Sequence, residues 1–360
     1  QVNVNKSEID AAKYNVKTAN DIPMTQVFVE NEDLRPSDKT GIWKIGLTQS
    51  IAWPGLYAAR KDYLKAQLKY SELNTEVMNA NIRKDVRTAY YQLWFLQDKN
   101  LLLKSLDSIY TNLFNTTQVR VRTGDVAKLD QIAADAQLKQ LKAYVEQNNK
   151  EIVIQQQQLM VLLNRNEWIL PIDEPLQKLE TNLYDENNVH PVLQLQQQNV
   201  SVAAANIKIQ KKSNLPEFSA RVFSQRLYGV SDPFTGFSVS VGLSLFGAGA
   251  YINKVNVANK DRGVRDILLS YQTQVMATDK KSAIAEMEKN MALLSFFETS
   301  GLQQAKDITE AASQSYRSGD ISFAELSQFL TQAINIRQNY LDVLNSYNQS
   351  AIQYNYLNNK

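Results

Sequence analysis

A short turn that is written twice constrains this chain more than any other feature. Arg122, Thr123, Gly124 and Asp125 return as Arg317, Ser318, Gly319 and Asp320, which places the two turn glycines 195 positions apart. Gly46 and Gly242 keep a spacing of 196, and Pro23 and Pro216 one of 193. Solenoids repeat roughly every 20 to 50 residues. One shared offset near half of the 360 residues therefore means a duplicated half-molecule, with residues 1–185 as one copy and 186–360 as the other.

Long stretches of both copies lack the residues that stop helices. Neither Pro nor Gly occurs from Tyr57 to Arg120, from Val126 to Asn164 or from Ile321 onward, and the run from Ala250 to Arg317 holds only Gly263 and Gly301. Ala, Leu, Gln, Lys and Glu fill these runs and favour helix. Helices are expected over about 57–120, 126–164, 188–213, 250–317 and 321–356, with little of a leading helix ahead of the first strand. At about 1.5 Å per residue the longest reach roughly 95 to 100 Å, more than an ordinary globular domain uses.

Steps of three and four link Ile82, Val86, Ala89, Leu93, Leu96, Asn100 and Leu103, and again Leu138, Leu141, Val145, Asn148, Ile152, Gln155, Leu159 and Leu162. That is a narrow coiled-coil seam with polar interruptions. On the helices alone, a soluble coiled-coil scaffold or an adaptor-like interaction protein explains the chain as well as any other reading. The repeated turns then become hairpin tips. Their Gly takes the left-handed conformation that ends one helix, and their Asp caps the start of the next. Two copies, each with a basic residue two before the Gly and an Asp after it, point to one shared docking surface.

The segments ahead of each long helix separate a scaffold from something else. Phe237, Val239, Val241, Leu243 and Leu245 alternate with Ser238, Ser240, Gly242 and Ser244, and Trp43, Ile45, Leu47, Ile51 and Trp53 alternate with Lys44, Gly46, Thr48 and Ser50, Gln49 being the exception. Transmembrane strands need about 9 to 11 residues, apolar outward and polar inward, with aromatic residues at the two interfaces. Each of these strands has an upstream partner, beginning at Met24 and at Phe218, across a connection carrying Pro and Asp. Hairpins are thus expected at about 24–53 and 218–246. Four strands cannot close a barrel, and lipid does not tolerate an open edge. Two chains would supply 8 strands and three would supply 12, in multiples of four.

Composition excludes several classes. There is no Cys, His190 is the single His, and a net charge of +2 does not suggest a nucleic-acid partner. Metal and thiol chemistry lose their commonest ligands and nucleophiles. His190 sits before Pro191 at an expected helix start and reads as an ordinary polar residue, and the six Met are too scattered for a metal relay. No serine–histidine–aspartate constellation can be assembled, so an enzyme is the least favoured class.

In this order the elements resemble the TolC family of outer membrane efflux proteins: short helix, β-hairpin, very long helix, glycine-containing tip and shorter helix, twice over. The stretch IGLTQSIAWPGLYAARKDYLKAQ, with Pro54 and Gly55 where strand passes into helix, is similar to the branch serving heavy-metal and drug pumps of the resistance-nodulation-division class. The resemblance covers essentially the whole chain.

It implies a mainly α fold with one β-hairpin per repeat. The long coiled-coil helices would form a trimeric α-barrel in the periplasm, continued by a 12-stranded β-barrel in outer membrane lipid. It implies a passive export duct without enzymatic activity, cofactor, metal or nucleotide. Arg122, Thr123, Gly124, Asp125, Arg317, Ser318, Gly319 and Asp320 would dock on a periplasmic adaptor, a membrane fusion protein that links the channel to an inner-membrane transporter. Tyr316, three before the second tip Gly, and Asp130, six after the first, match the pair that holds the family's entrance closed. Ile321 stands where the family has a basic residue, with Arg122 or Arg317 as the available substitutes.

Overall fold

The computed structural model describes residues 2–33, 35–37, 40–172, 174–181, 189–227, 234–244 and 248–360. Along the chain run α1 (Val2–Lys17), β1 (Gln26–Glu32), β2 (Ile42–Ile51), α2 (Pro54–Thr123), α3 (Lys128–Leu163), α4 (Pro191–Lys212), β3 (Glu217–Leu227), β4 (Phe234–Gly242), α5 (Ala248–Phe296), α6 (Leu302–Ser318) and α7 (Phe323–Leu357). The fold is thus mainly helical with one small antiparallel sheet. α1 has 16 residues, so the first strand is preceded by more helix than the sequence suggested.

The helix ends follow local chemistry. α2 opens on Pro54, whose missing N–H costs nothing in a first turn. At 70 residues it corresponds to about 105 Å of helix. α4 also has proline in its first turn, and His190 caps it by accepting the Val192 N–H at Nδ1, 3.2 Å away. α7 opens on a capping box: Ser322 accepts the Glu325 N–H, and the Glu325 carboxylate accepts the Ser322 N–H at 2.8 Å. That backbone hydrogen bond, followed by one from the Ser322 hydroxyl, holds the Glu325 pKa below its ordinary value.

The expected helix over 250–317 is not continuous. Phe297–Gly301 form a π-turn between α5 and α6. Phe297 is buried there with its ring edge-on to Tyr340, 6.3 Å between centroids. A Cβ on Gly301 would come within 3.0 Å of Phe297 and 3.6 Å of Ile336. Glycine therefore leaves room for the Phe297 ring to lie against the widened turn.

Two compact units each draw one piece from either half of the sequence. The first comprises residues 1–79 and 190–274, the second 80–189 and 275–360. In the first, the Gln198 side chain donates to the Ala66 carbonyl at 2.8 Å and Tyr251 donates to the Lys211 carbonyl at 3.1 Å, fastening α4 to α2 and α5. Its sheet runs β1-β2-β3-β4, each neighbouring pair antiparallel.

The second unit packs four helices around Leu106, Tyr110 and Leu113 of α2, Leu138 and Leu141 of α3, Tyr316 of α6, and Leu326 and Leu330 of α7. A further cluster joins Ala89 and Leu93 to Leu159. Every residue of both expected seams is buried or half-buried, so the three-four spacing locates the packed stripes. Asn148 belongs in its seam because its side-chain amide donates to the Leu96 carbonyl at 2.9 Å.

Irregular stretches, 165–172 and 174–181, belong to this unit and follow no periodicity. Trp94 donates from Nε1 to the Glu174 carbonyl at 2.8 Å, and Asp98 accepts the Leu176 N–H at 2.6 Å. Asn348 accepts the Leu179 N–H at 2.8 Å and donates to the Gln177 carbonyl at 2.9 Å. Three side chains thus satisfy backbone groups that lack a secondary-structure partner.

Candidate functional site

Strand register builds the first candidate surface. Val27, Leu47, Val222 and Phe237 form one cross-strand row, Phe218, Ile51 and Val241 lie in the next but one, and Val29 pairs with Ile45. Paired residues in an antiparallel sheet share a face. That face therefore gathers Trp43, Ile45, Leu47, Ile51, Phe237, Val239 and Val241, together with the unexpected contributors Val27, Val29 and Val222. Trp43, Leu47 and Phe237 are 52%, 53% and 81% exposed. Lys44, Gly46, Thr48 and Ser50, on the other face of β2, are the more covered residues.

This inverts a water-facing sheet, where apolar side chains turn inward and polar ones outward. Trp53 and Leu243 lie just past the ends of β2 and β4 and are exposed, Trp53 stacking on Phe218 at 5.8 Å, whereas Leu245 falls outside the described residues. Gln49, the polar exception, donates to the Pro23 carbonyl at 2.8 Å and accepts the Thr25 hydroxyl at 2.5 Å. Its amide is thereby spared from unpaired exposure on an apolar face.

The second candidate surface is the pair of turns. Gly124 has φ +80° and Gly319 φ +88°, and a Cβ at either would meet no other atom, so the backbone conformation alone demands glycine. Asp125 and Asp320 do not cap the helices that follow them, contrary to the expectation from sequence. Ala127 precedes α3 without a side-chain cap, and Ser322 caps α7. Instead the Asp125 N–H bonds the Arg120 carbonyl at 2.9 Å and the Gly124 N–H the Val121 carbonyl at 3.2 Å. Asp320 to Ser315 and Gly319 to Tyr316 repeat the pattern at 2.9 and 3.3 Å. Both turns are Schellman motifs, so the Gly-Asp pair closes the helix before it rather than opening the one after.

All eight tip residues are exposed. The Thr123 hydroxyl bonds back to the Arg120 carbonyl at 3.0 Å, and the Ser318 hydroxyl to the Ser315 carbonyl at 3.1 Å and the Asp320 carboxylate at 2.5 Å. Among the described residues, the side chains of Arg122, Asp125 and Arg317 make no hydrogen bond or ion pair. The two tips lie at one end of the second unit, joined through Arg120 and Tyr316. The Arg120 guanidinium covers the Tyr316 ring at 4.9 Å and donates to its carbonyl at 3.3 Å.

Tyr316 is buried against Phe323, and its hydroxyl lies 3.4 Å from Thr117. Within the chain no hydrogen bond joins it to Asp130, which is half-buried in the first turn of α3. The basic residue on this tyrosine within the chain is Arg120. Its signal in the sequence was positional: Tyr110, Leu113, Thr117 and Arg120 follow one another at helical spacing on the packed face of α2.

No protein-family profile matches this sequence, and no curated protein does. Solved structures do resemble it. The Campylobacter jejuni CmeC outer membrane channel aligns with 99% of this chain and 82% of its own at a TM-score of 0.80 and 14% identity. The outer membrane protein VceC from Vibrio cholerae aligns with 99% of this chain and 92% of its own at a TM-score of 0.81 and 12% identity. The open state of the Neisseria gonorrhoeae MtrE outer membrane channel aligns with 99% and 85% at a TM-score of 0.79 and 14% identity. At these identities the likeness establishes the fold: this chain has the fold of outer membrane channels.

Proposed function

We propose that this chain is the outer membrane channel of a tripartite efflux system. It is a passive export duct from periplasm to exterior, set in outer membrane lipid, that docks on a periplasmic adaptor and an inner-membrane transporter of the resistance-nodulation-division class. The observation that carries this reading is the exposed apolar face that runs across all four strands, from Val27 and Val29 through Ile45 and Leu47 to Val222, Phe237 and Val239. No described helix is long and apolar enough to cross a membrane, so contact with lipid falls to the strands.

The sheet also supports closure by several copies. β1 and β4 are its two edges, and with four alternating strands the β1 of one copy runs antiparallel to the β4 of the next. Identical copies joined head to tail form a ring, and a ring leaves no edge exposed to lipid. Three copies give a 12-stranded barrel continued by a trimeric helical tunnel, as the family resemblance implies. Under this reading the two repeats of residues 1–185 and 186–360 are equivalent wall segments.

The test is the mass of the detergent-solubilised particle together with conductance in a planar bilayer. A particle of three chains with long-lived conducting states is expected. A monomer that stays soluble without detergent and never conducts would overturn the reading.

The tips serve adaptor docking, with Tyr316 and Asp130 at the entrance of the tunnel. Asp320 already accepts a hydrogen bond from Ser318, whereas Asp125 is unengaged. Charge reversal by Asp125→Lys is therefore expected to weaken binding of the adaptor's hairpin more than Asp320→Lys. An exposed ion pair is worth about 0.2 to 1 kcal/mol, or roughly up to fivefold in Kd. Titration calorimetry with an isolated adaptor hairpin reads this directly, and unchanged affinity in both variants removes the docking role.

A further inference from the structure

The polar face of the sheet holds a built arrangement that the duct reading does not by itself assign. Across all four strands one row reads Phe28, Gly46, Phe223, Gly236. A Cβ on Gly46 would come within 2.6 Å of the Phe28 ring and 2.8 Å of the Phe223 Cβ, and one on Gly236 within 2.6 Å of the Phe223 ring. Each phenylalanine thus lies down over the glycine of the next strand instead of standing off the sheet. The gap at Gly46 lets Arg221 of β3 reach across β2. Its guanidinium sits 3.5 Å from the Phe28 centroid and forms an ion pair with Glu30 of β1. Beside it, Lys44 bonds Glu32 at 2.6 Å and stands 5.9 Å from the Phe223 ring.

We propose that these residues form a girdle on the bore side of the strands that determines how the duct treats charged solutes. The proposal rests on the duct reading, which turns the opposite face toward lipid. Two cations and two anions per chain cancel within the girdle, and the flattened rings add an apolar lining without closing the bore. A balanced girdle passes anionic and cationic organic solutes alike and confers no preference for a single metal cation. Arg221 is its pivot, because one side chain holds Phe28 down and neutralises Glu30.

Reversal potentials across a KCl gradient in planar bilayers test this. Native channels are expected to discriminate weakly between cation and anion. Arg221→Gln leaves Glu30 unpaired and shifts selectivity toward cations. Glu30→Gln leaves Arg221 unpaired and shifts it toward anions, and the double variant returns to native behaviour. One uncompensated charge about 8 Å from the ion path acts oppositely on cation and anion and changes the permeability ratio roughly sixfold by unscreened Coulomb's law in water. The shifts should shrink in about 1 M salt, where the screening length is about 3 Å.

A native chain that forms no conducting particle defeats the duct reading itself. A conducting native chain whose two single variants keep the native reversal potential defeats the girdle alone. Should Arg221→Gln fail to assemble, Glu30→Gln decides: an anion shift supports the girdle, and an unchanged potential overturns it.

Discussion

Arginine in place of Leu47 is expected to remove the assembled channel from the membrane, while arginine in place of Ser240 is expected to leave it there. Leu47 lies mid-strand, paired with Val27 on one side and Val222 on the other, in a row that is apolar across all four strands. Water would welcome a charge on that half-exposed leucine, and a soluble scaffold would gain solubility from the change. Lipid penalises it: a lysine or arginine at the midplane of a membrane barrel costs about 2 to 4 kcal/mol. Each copy in a ring bears that cost, so the assembled fraction falls by about tenfold or more. Ser240 occupies the opposite face of β4, exposed and paired with Ser219, where the bore would hydrate the charge. Quantifying heat-resistant oligomer in outer membrane fractions separates the two variants. Assembly of Leu47→Arg at native levels would mean that this face does not meet lipid.

Much of this architecture could be read from residue spacing, because local rules acted alone there. The absence of Pro and Gly marked the long helices, the three-four steps marked their packed stripes, and the alternation after Trp43 and Phe237 marked the exposed apolar face. Spacing misled where two local rules compete. A Gly-Asp pair satisfies both a helix C-terminal motif and a helix N-cap, and the chain uses only the first. The π-turn at Phe297–Gly301 was hidden because one extra residue in a helix leaves its composition unchanged. Arg120 escaped attention because it sits inside the helix and not in the repeated turn. The row Phe28, Gly46, Phe223, Gly236 required the register of all four strands, and β1 and β3 alternate too loosely to reveal it. Nothing local marked 165–181 at all, since its partners Asp98 and Asn348 lie far from it in sequence.

That stretch carries the second large expectation: Asn348→Leu should release it from the helices. Asn348 is fully buried, and leucine keeps its branching at the γ-carbon but is bulkier, so the Leu179 N–H and Gln177 carbonyl each lose their partner while the core must also take up the added volume. Both hydrogen bonds are part-buried, and each contributes about 0.5 to 1.5 kcal/mol net. Their loss therefore removes roughly 1 to 3 kcal/mol from the docking of 174–181, and exchange of the Leu179 amide should quicken by about fivefold at the least. Unchanged exchange would show that the two hydrogen bonds do not hold the segment.

Asp98 supplies an independent check with the opposite sign. Burial raises its pKa, and the hydrogen bond from the Leu176 N–H only partly offsets that. A carboxyl whose folded pKa lies above its unfolded value of about 3.9 favours the folded state fully below that pH and loses the contribution as pH rises through the folded value. Asp98→Asn keeps an acceptor for Leu176 and removes the buried charge. Its Tm should therefore gain on that of the native chain between pH 4 and pH 7. A variant less stable than native by the same margin at both pH values would mean that the hydrogen bond to the ionised carboxylate fully offsets its desolvation and leaves the pKa unshifted. In that case Asp98, like Asn348, fastens this segment through its hydrogen bond alone.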